Sequence, residues 1–170
     1  MTGTGVIRLT ESDWRLFAAL RLRALADSVG NEDAQYLGEV GFTGTQWRRR
    51  LRAHAQFAFV EGDAGADTGG DTRTVLGLIA AQRPNTESVY LYSLWTDPLA
   101  RGRGVARTLM SAAIDWARDQ GASTVTLRVD QANDAARAVY DALGFTVSDQ
   151  TATPANPAPA GEVIMSLNVS

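Results

Sequence analysis

Arg101-Gly102-Arg103-Gly104-Val105-Ala106 stands between an apolar run typical of a β-strand and an amphipathic run typical of a helix. Where a strand ends in a tight turn and a helix begins, the first backbone N–H groups of the helix have no partner within it. The helix dipole adds partial positive charge at the same point. Because glycine allows close approach to the backbone and arginine carries a permanent charge, the turn predicts a site for a phosphate or pyrophosphate group.

Two common phosphate-binding motifs do not match this turn. The dinucleotide motif Gly-x-Gly-x-x-Gly requires glycine where this chain has Arg107, and here about a hundred residues precede the turn. A P-loop ends in Gly-Lys-Ser or Gly-Lys-Thr, which the turn lacks. An isolated match could equally be a solvent-facing, glycine-rich turn, so the flanking sequence decides the interpretation.

The flanking segments predict further strands and helices. Val89–Thr96 is typical of a strand that ends at Asp97-Pro98, because proline lacks the N–H that a ladder needs. The helix after the turn is predicted to end at Gly121, and its apolar stripe consists of Val105, Leu109, Ala112, Ala113 and Trp116. Farther on, Thr124–Val129 alternates as a strand does, and Ala135–Leu143 is predicted to form a short helix.

The rest of the chain completes a mixed α/β domain, with helices packed on one layer of sheet. Helices are predicted to begin after Thr10 and at the capping-box pattern of residues 43–46, and residues 29–42 are predicted to form a polar connection. The remaining predicted strands are Val6–Leu9, Phe57–Val60, Val75–Ala81, Phe145–Val147 and Glu162–Val169. We predict a single domain over residues 1–170, with residues 1–5 disordered and long loops at 61–73 and 149–161.

Composition argues against several classes of protein. The chain has 170 residues, 45% of them hydrophobic, which suffices for one domain with a substantial core. It has no run of about 18 apolar residues, no signal-peptide pattern and no cysteine, so we expect no membrane partner, no disulfide and no thiol nucleophile. A single histidine gives no metal site, and the net charge of −3 argues against a nucleic-acid partner. We expect a cytoplasmic location.

A family resemblance joins the turn to the segments after it. Arg101, Gly104 and Ala106 are followed about thirty residues later by Asn133 and Tyr140, and then by Leu143-Gly144-Phe145. This pattern resembles the GNAT family of acetyl-CoA-dependent N-acetyltransferases, strongly from 89 to 145 and more weakly at 7–10 and 21–25. The resemblance implies the GNAT fold of the α/β (α+β) class. That fold has a central mixed, mostly antiparallel sheet of about six to seven strands, flanked by about four helices and containing a splayed central pair, here 89–96 and 124–129.

The resemblance also implies which residues bind acetyl-CoA. The pyrophosphate of the coenzyme is expected on the backbone of the turn, which comprises Arg101, Gly102, Arg103, Gly104, Val105, Ala106 and Arg107. Ala106 stands where many relatives have glycine. The pantetheine arm is expected to run along the backbone of Leu94, Trp95 and Thr96. Asn133 is expected to contact the coenzyme, and Tyr140 to lie near its sulfur as proton donor to the departing thiolate.

The implied reaction is direct attack of a neutral primary amine on the thioester in a ternary complex, with backbone N–H groups near Leu94 holding the oxyanion. The general base stays unassigned among Glu87, Tyr90, Tyr92 and a water relay, and Arg128 stands where some relatives have glutamate. The acceptor is open between a small amine and a protein amine, and a homodimer is possible. The alternative is a non-catalytic acyl-CoA-binding regulatory or sensor module.

Acidic residues in the connection of residues 29–42 form a second, weaker hypothesis. Glu32, Asp33 and Glu39 lie in the segment that shapes the acceptor pocket in the family that this chain resembles. Carboxylates there could attract a cationic amine. Polar loops carry acidic residues in any case, so both interpretations stand at the level of sequence.

Overall fold

The computed structural model describes residues 4–62, 73–148 and 161–170. The predicted disordered start and the two predicted loops lie mostly outside these ranges, and there they stay predictions. Thr4 and Gly5, predicted to be disordered, belong instead to the first strand. They do so because they pair with Glu61 and Val60 of the antiparallel neighbouring strand.

Seven strands form one mixed sheet in the order β1-β2-β3-β4-β5-β7-β6. Their bounds are β1 Thr4–Arg8, β2 Ala55–Glu61, β3 Thr74–Gln82, β4 Ser88–Thr96, β5 Thr124–Asp130, β6 Thr146–Val147 and β7 Glu162–Asn168. β1 pairs antiparallel with β2, and β7 pairs antiparallel with both β5 and β6, whereas β4 and β5 are parallel. The predicted mixed, mostly antiparallel sheet is thereby confirmed.

Five α-helices within the described ranges accompany the sheet, where the sequence predicted about four. They are α1 Trp14–Ser28, α2 Ala34–Val40, α3 Gly44–Ala53, α4 Val105–Asp119 and α5 Asp134–Ala142. The additional helix is α2, which lies in the predicted connection. Its apolar residues Leu37 and Val40 are exposed while Glu39 is buried, so the segment carries no normal amphipathic signal.

The chain divides into two compact units, one made of residues 1–80 and 93–112 and the other of residues 81–92 and 113–170. A hydrophobic cluster forms the core of the first unit. Within it, the rings of Phe17 and Trp47 meet edge to face, with centroids 5.5 Å apart. The buried members of the cluster are Leu9, Phe17, Leu20, Ala24, Trp47, Leu51, Ala58, Val60, Val75, Leu78 and Trp95.

Gly77 brings the start of α4 directly onto β3 within the first unit. A Cβ at this position would lie 2.8 Å from Leu109 Cδ1 and from Val105 Cγ1, and 3.0 Å from the Trp95 carbonyl oxygen. Real Cβ atoms essentially never approach so closely, so only glycine fits. The contact fixes the position of the first turn of α4, and with it the Arg/Gly turn that precedes this helix.

The second unit contains β5, α5, β6 and β7. In β5 the residues Val125, Leu127 and Val129 are buried and alternate with partly exposed ones, as the sequence predicted. α5 ends near Gly144, whose φ of 96° is the left-handed conformation of a helix-terminating glycine. No helix within the described ranges is long and apolar enough to span a membrane.

Candidate functional site

The Arg/Gly turn connects the end of β4 to the start of α4. After Thr96, the side chain of Asp97 accepts the Leu99 N–H at 2.8 Å, and a short 3-10 helix follows over Pro98–Ala100. Gly102 and Gly104 then have φ angles of 81° and 78°, which favour glycine over any other residue. An added Cβ at either glycine would meet nothing within 4 Å, so open space lies beside this backbone.

The first turn of α4 presents backbone donors to that space. Its first N–H groups have no helical acceptor, and the earliest i→i−4 bond runs from the Thr108 N–H to the Gly104 carbonyl at 3.0 Å. Val105 is buried, so it offers only its backbone, while Ala106 is partly exposed and Arg107 is exposed. The geometry therefore fits the predicted anion site through the backbone and the arginines.

Two arginines of the turn, Arg101 and Arg103, are paired with carboxylates that the sequence analysis missed. Arg101 NH2 lies 3.1 Å from Asp27 Oδ2 on α1. Arg103 forms an ion pair with Glu61 at the end of β2. These pairs join residues 74 and 42 positions apart, and no local pattern in the sequence marks them.

In the segment Leu94–Thr96, which is predicted to bind the pantetheine arm, the Trp95 side chain is taken up by the core, so the segment offers a ligand mainly its backbone. The Trp95 side chain belongs to the core of the first unit, and its indole Nε1 donates to Asp27 Oδ2 at 2.8 Å. The guanidinium of Arg23 lies over the Trp95 ring, 5.2 Å from its centroid, and pairs with Asp97. The hydrogen bond from Leu99 and the charge of Arg23 hold the pKa of Asp97 below its ordinary value despite partial desolvation.

β4 departs from regular strand geometry at Ser93. Its parallel ladder with β5 covers Ser88–Leu91 against Thr124–Leu127, so the last five residues of β4 lie outside that ladder. Ser93 has a φ of 57°, and it is the one non-glycine residue of the described ranges with a positive φ. The interruption falls one residue before Leu94, where the predicted thioester-binding segment begins.

A buried ion cluster reaches Ser93 from three helices. Glu39 Oε1 accepts from Arg21 Nε at 3.1 Å and from Arg50 NH1 at 2.6 Å, and Glu39 Oε2 accepts from Arg21 NH2 at 3.4 Å. Arg21 NH1 donates to Ser93 Oγ at 3.2 Å. Burial opposes ionisation of Glu39, but the hydrogen bonds and charges of the two arginines lower its pKa on balance. Both arginines occupy this carboxylate, so it is not free to bind a cationic amine.

Asn133 and Tyr140 lie in the second unit, on α5. Asn133 is the N-cap residue of this helix, and its side-chain oxygen accepts the Ala136 N–H at 3.1 Å. Tyr140 is buried, and its ring lies 6.1 Å from that of Phe145. Burial raises the pKa of the Tyr140 hydroxyl, which therefore keeps its proton at neutral pH.

The candidates for a general base also lie in the second unit. Tyr90 and Tyr92 stack with ring centroids 5.8 Å apart, and the Arg128 guanidinium lies 6.0 Å from the Tyr90 centroid. Burial, with a smaller contribution from Glu162, raises the pKa of Tyr90 against the opposing charge of Arg128. Glu87 is exposed and precedes β4, and its backbone carbonyl accepts the Ser123 N–H at 2.8 Å. Among the described residues, no group of three or more His, Cys, Asp or Glu side chains could hold a metal ion.

Comparison with known proteins agrees with this geometry. Residues 21–145 match the acetyltransferase (GNAT) family. A mycothiol acetyltransferase of Rhodococcus erythropolis is 39% identical over 85 residues, which are 47% of this chain and 28% of that protein. The solved structure of yncA from Salmonella typhimurium with its cofactor acetyl-CoA covers 99% of this chain and 95% of its own, with a TM-score of 0.66 and 17% identity. The PaiA N-acetyltransferase of Thermoplasma acidophilum, in complex with coenzyme A, covers 98% and 99%, with a TM-score of 0.68 and 14% identity.

The chain spans only part of the length of the curated relatives that it matches. The chain covers 21% and 28% of two mycothiol acetyltransferases, which is about a quarter of their length. At 17% and 14% identity, the two solved structures show a common fold.

Proposed function

The chain belongs to the acetyltransferase (GNAT) family, and from this premise we propose that it transfers an acetyl group from acetyl-CoA to a primary amine. The proposed reaction is direct attack in a ternary complex. One observation carries the proposal: a strand, a short 3-10 helix, an Arg/Gly turn with open space at both glycines, and the N-terminal turn of α4 follow one another along the chain.

The turn suits the pyrophosphate of coenzyme A. Anions bind at helix N-termini because N–H groups and the helix dipole favour negative charge there. Gly102 and Gly104 leave the backbone accessible, and the side chains of Arg101 and Arg103 are 60% and 50% exposed. Asp27 and Glu61 hold the guanidinium groups of these arginines beside the backbone of the turn. Phosphate oxygens would bind the same guanidinium groups together with the two carboxylates or in their place.

The end of β4 suits the pantetheine arm. Beyond Leu91 the residues of β4 lie outside the parallel ladder with β5, and we propose that their backbone groups bind the amide groups of the extended arm. Residues Leu94 and Thr96 are partly exposed, whereas the Trp95 side chain faces the core. We assign the Leu94 region the backbone N–H that stabilises the oxyanion, a contribution whose loss costs about 10²–10³ in rate in other enzymes.

Tyr140 is the proposed donor of the proton that the departing thiolate takes up. Amine attack forms the C–N bond and breaks the C–S bond, leaving the sulfur of coenzyme A with a negative charge. The proton released by the acetylated nitrogen leaves through water and restores the Tyr140 hydroxyl. The raised pKa of Tyr140 keeps its hydroxyl protonated at neutral pH, as a donor requires. A thiol has a pKa near 8.5, so its thiolate already leaves well, and we expect this acid to contribute near the lower end of about 10²–10⁴-fold.

Two of the side-chain candidates for the general base fit that role poorly. The raised pKa of Tyr90 makes its hydroxyl a poor proton acceptor at neutral pH. Glu87 is exposed and lies outside β4, seven residues before Leu94 in the sequence. The amine then enters already neutral, or it loses its proton to Tyr92 or through water. A weak base of this kind favours acceptors of low pKa, such as α-amines near 7.7–8.0.

The proposed acceptor is a primary amine of low pKa. Two relatives named mycothiol acetyltransferase match 37% and 47% of this chain. A panel of small amines, amino acids and peptide N-termini, scored by release of the free coenzyme thiol, tests the proposal directly. Release with at least one amine is the expected result, and acetyl-CoA binding without release across the panel would favour the sensor module instead.

Ligand-induced stabilisation tests the donor site separately. At about 100 times its dissociation constant, a ligand stabilises the folded state by about 2.7 kcal/mol. We expect acetyl-CoA to raise the melting temperature well above the effect of adenosine at the same concentration. Equal shifts from the two compounds would contradict the assignment of the turn.

A further inference from the structure

The ion cluster of Arg21, Glu39 and Arg50 is built around one carboxylate. Three guanidinium nitrogens donate to the two oxygens of Glu39, whose side chain is only 4% exposed. Arg21 donates to Glu39 through Nε and NH2. Its remaining terminal nitrogen, NH1, donates to Ser93 Oγ at 3.2 Å. Because the guanidinium is planar and rigid, fixing two of its nitrogens fixes the direction of the third.

Stability alone is a weak explanation for such a cluster. Buried ion pairs lose much of their attraction to desolvation, and apolar side chains of similar volume often stabilise a fold as well or better. A cluster of two guanidiniums and one carboxylate also leaves one uncompensated positive charge. What the cluster supplies is a fixed geometry, since it joins α1, α2 and α3 to a single residue of β4.

Ser93 is the residue of β4 that needs such support. A left-handed backbone disfavours every L-residue other than glycine, and such conformations persist only where surrounding contacts impose them. The contact of Arg21 with the Ser93 hydroxyl is a contact of that kind. Because the Ser93–Leu94 peptide follows the backbone angles of Ser93, the direction of the Leu94 N–H depends on the same contact.

We propose that Arg21, held by Glu39 and Arg50, is a positioning residue for acetyl transfer: it keeps Ser93 in its left-handed conformation and so aims the Leu94 N–H at the thioester oxygen. The inference rests on the proposed function, which gives this N–H its role at the oxyanion. It also gives Glu39 a role different from binding the acceptor amine.

Substitution of Ser93 tests the proposal without disturbing the ion cluster. Ser93→Ala removes the hydroxyl and leaves the backbone to a residue that disfavours positive φ, so we expect kcat to fall about tenfold to a hundredfold. The KM for acetyl-CoA should change less than threefold, because the lost interaction acts in the transition state. Ser93→Gly should retain more activity than Ser93→Ala, because glycine adopts the left-handed conformation readily.

Two further variants separate positioning from general damage. Arg21→Lys keeps the positive charge but not the planar guanidinium that binds Glu39 and Ser93 at once, so its kcat should fall as in Ser93→Ala. The kcat of the double variant Arg21→Lys/Ser93→Ala should be no lower than that of the less active single variant, because both substitutions break the same contact. The matched control is Ser88→Ala, which removes a serine hydroxyl of the same strand that donates to Asn85 at 3.1 Å, and should leave kcat unchanged.

Each outcome decides for or against the positioning role. Wild-type kcat in Ser93→Ala, a fall expressed only in the KM for acetyl-CoA, equal losses in Ser93→Gly and Ser93→Ala, or additive losses in the double variant would overturn it. If Arg21→Lys does not fold, the Ser93 and Ser88 variants still give the answer. Failure of the proposed function has a different signature, since the wild-type protein itself would then release no thiol with any amine.

Discussion

Asp27 lies against Arg101, with its Oδ2 atom 3.1 Å from the guanidinium NH2, in front of the turn proposed to bind pyrophosphate. The same oxygen accepts the indole N–H of Trp95 at 2.8 Å. A carboxylate of α1 thus pairs with Arg101, and Glu61 pairs with Arg103. These acids and an incoming phosphate compete for the same two cations.

Asp27→Asn should therefore strengthen coenzyme binding. Asparagine keeps an oxygen that can accept the Trp95 N–H, but it removes a negative charge beside the proposed anion site. One unit charge acting over a few ångströms in water is worth about 1 kcal/mol, so we expect Kd for coenzyme A to fall about threefold to tenfold. Calorimetry at low and high salt measures the effect, which should shrink as the salt concentration rises.

The control for this experiment is Glu11→Gln. Glu11 pairs with Arg52 on the exposed surface at 2.7 Å, away from the turn in sequence, and its neutralisation changes the net charge by the same amount. Its Kd should match that of the wild type. A higher Kd in Asp27→Asn would instead mean that Asp27 orients Arg101 for the phosphate.

The elements around the turn could be predicted from the sequence because their signals are local. Alternation of Val125, Leu127 and Val129 marks β5, and the pattern of Thr43 and Gln46 marks the start of α3, where the Thr43 N–H donates to Gln46 Oε1 at 2.8 Å. The strand, turn and helix at 88–119 were found for the same reason, since each boundary is set by glycine, proline or apolar spacing.

The missed features depend on contacts between distant residues. Glu39 is buried because Arg21 and Arg50 reach it from two other helices, and a carboxylate in a polar segment gives no sign of this. α2 escaped prediction because it buries that carboxylate and exposes Leu37 and Val40. Ser93 sits in an apolar, aromatic run, and nothing in the run indicates its positive φ.

Gly77→Ala should destabilise the protein and weaken coenzyme binding together. The added Cβ would lie 2.8 Å from side-chain atoms of Leu109 and Val105, so α4 must move away from β3. Overpacking of this kind costs about 1–3 kcal/mol. Urea unfolding measures the loss of stability, and calorimetry with coenzyme A measures the displacement of the turn that α4 carries.

Gly38→Ala is the matched control for that substitution. Gly38 lies within α2, and an added Cβ there would meet nothing within 4 Å. Alanine favours a helix over glycine by about 0.8–1.0 kcal/mol, so this variant should be as stable as the wild type or more so. A loss of stability in Gly77→Ala no greater than in Gly38→Ala would contradict the close packing of α4 on β3.

Tyr140→Phe should lower kcat by about tenfold to a hundredfold and leave the Kd for coenzyme A nearly unchanged. Phenylalanine keeps the ring contact with Phe145 and removes only the hydroxyl. Because burial raises the pKa of Tyr140 above its ordinary value of 10.0, the donor does not titrate between pH 6 and 9. For the wild type and for Tyr140→Phe, kcat/KM should therefore rise with pH as the acceptor amine deprotonates, and the two pH curves should be parallel. Equal kcat values would remove Tyr140 from the mechanism.

Glu39→Gln should destabilise the fold in a way that depends on pH. Removing one partner of a buried ion pair leaves Arg21 uncompensated, a loss of about 3–5 kcal/mol near pH 7. The arginines lower the folded-state pKa of Glu39 below 4.5, so its stabilising contribution is complete above about pH 4.5 and declines as the pH falls through that lower pKa. The difference in unfolding free energy between wild type and variant, measured in urea from pH 7 to 3, should shrink toward the acid end. The control Glu11→Gln, which breaks an exposed ion pair, should lose less than about 1 kcal/mol of unfolding free energy. A difference for Glu39→Gln that stays constant across that pH range would show that the charge of Glu39 is not what holds Arg21.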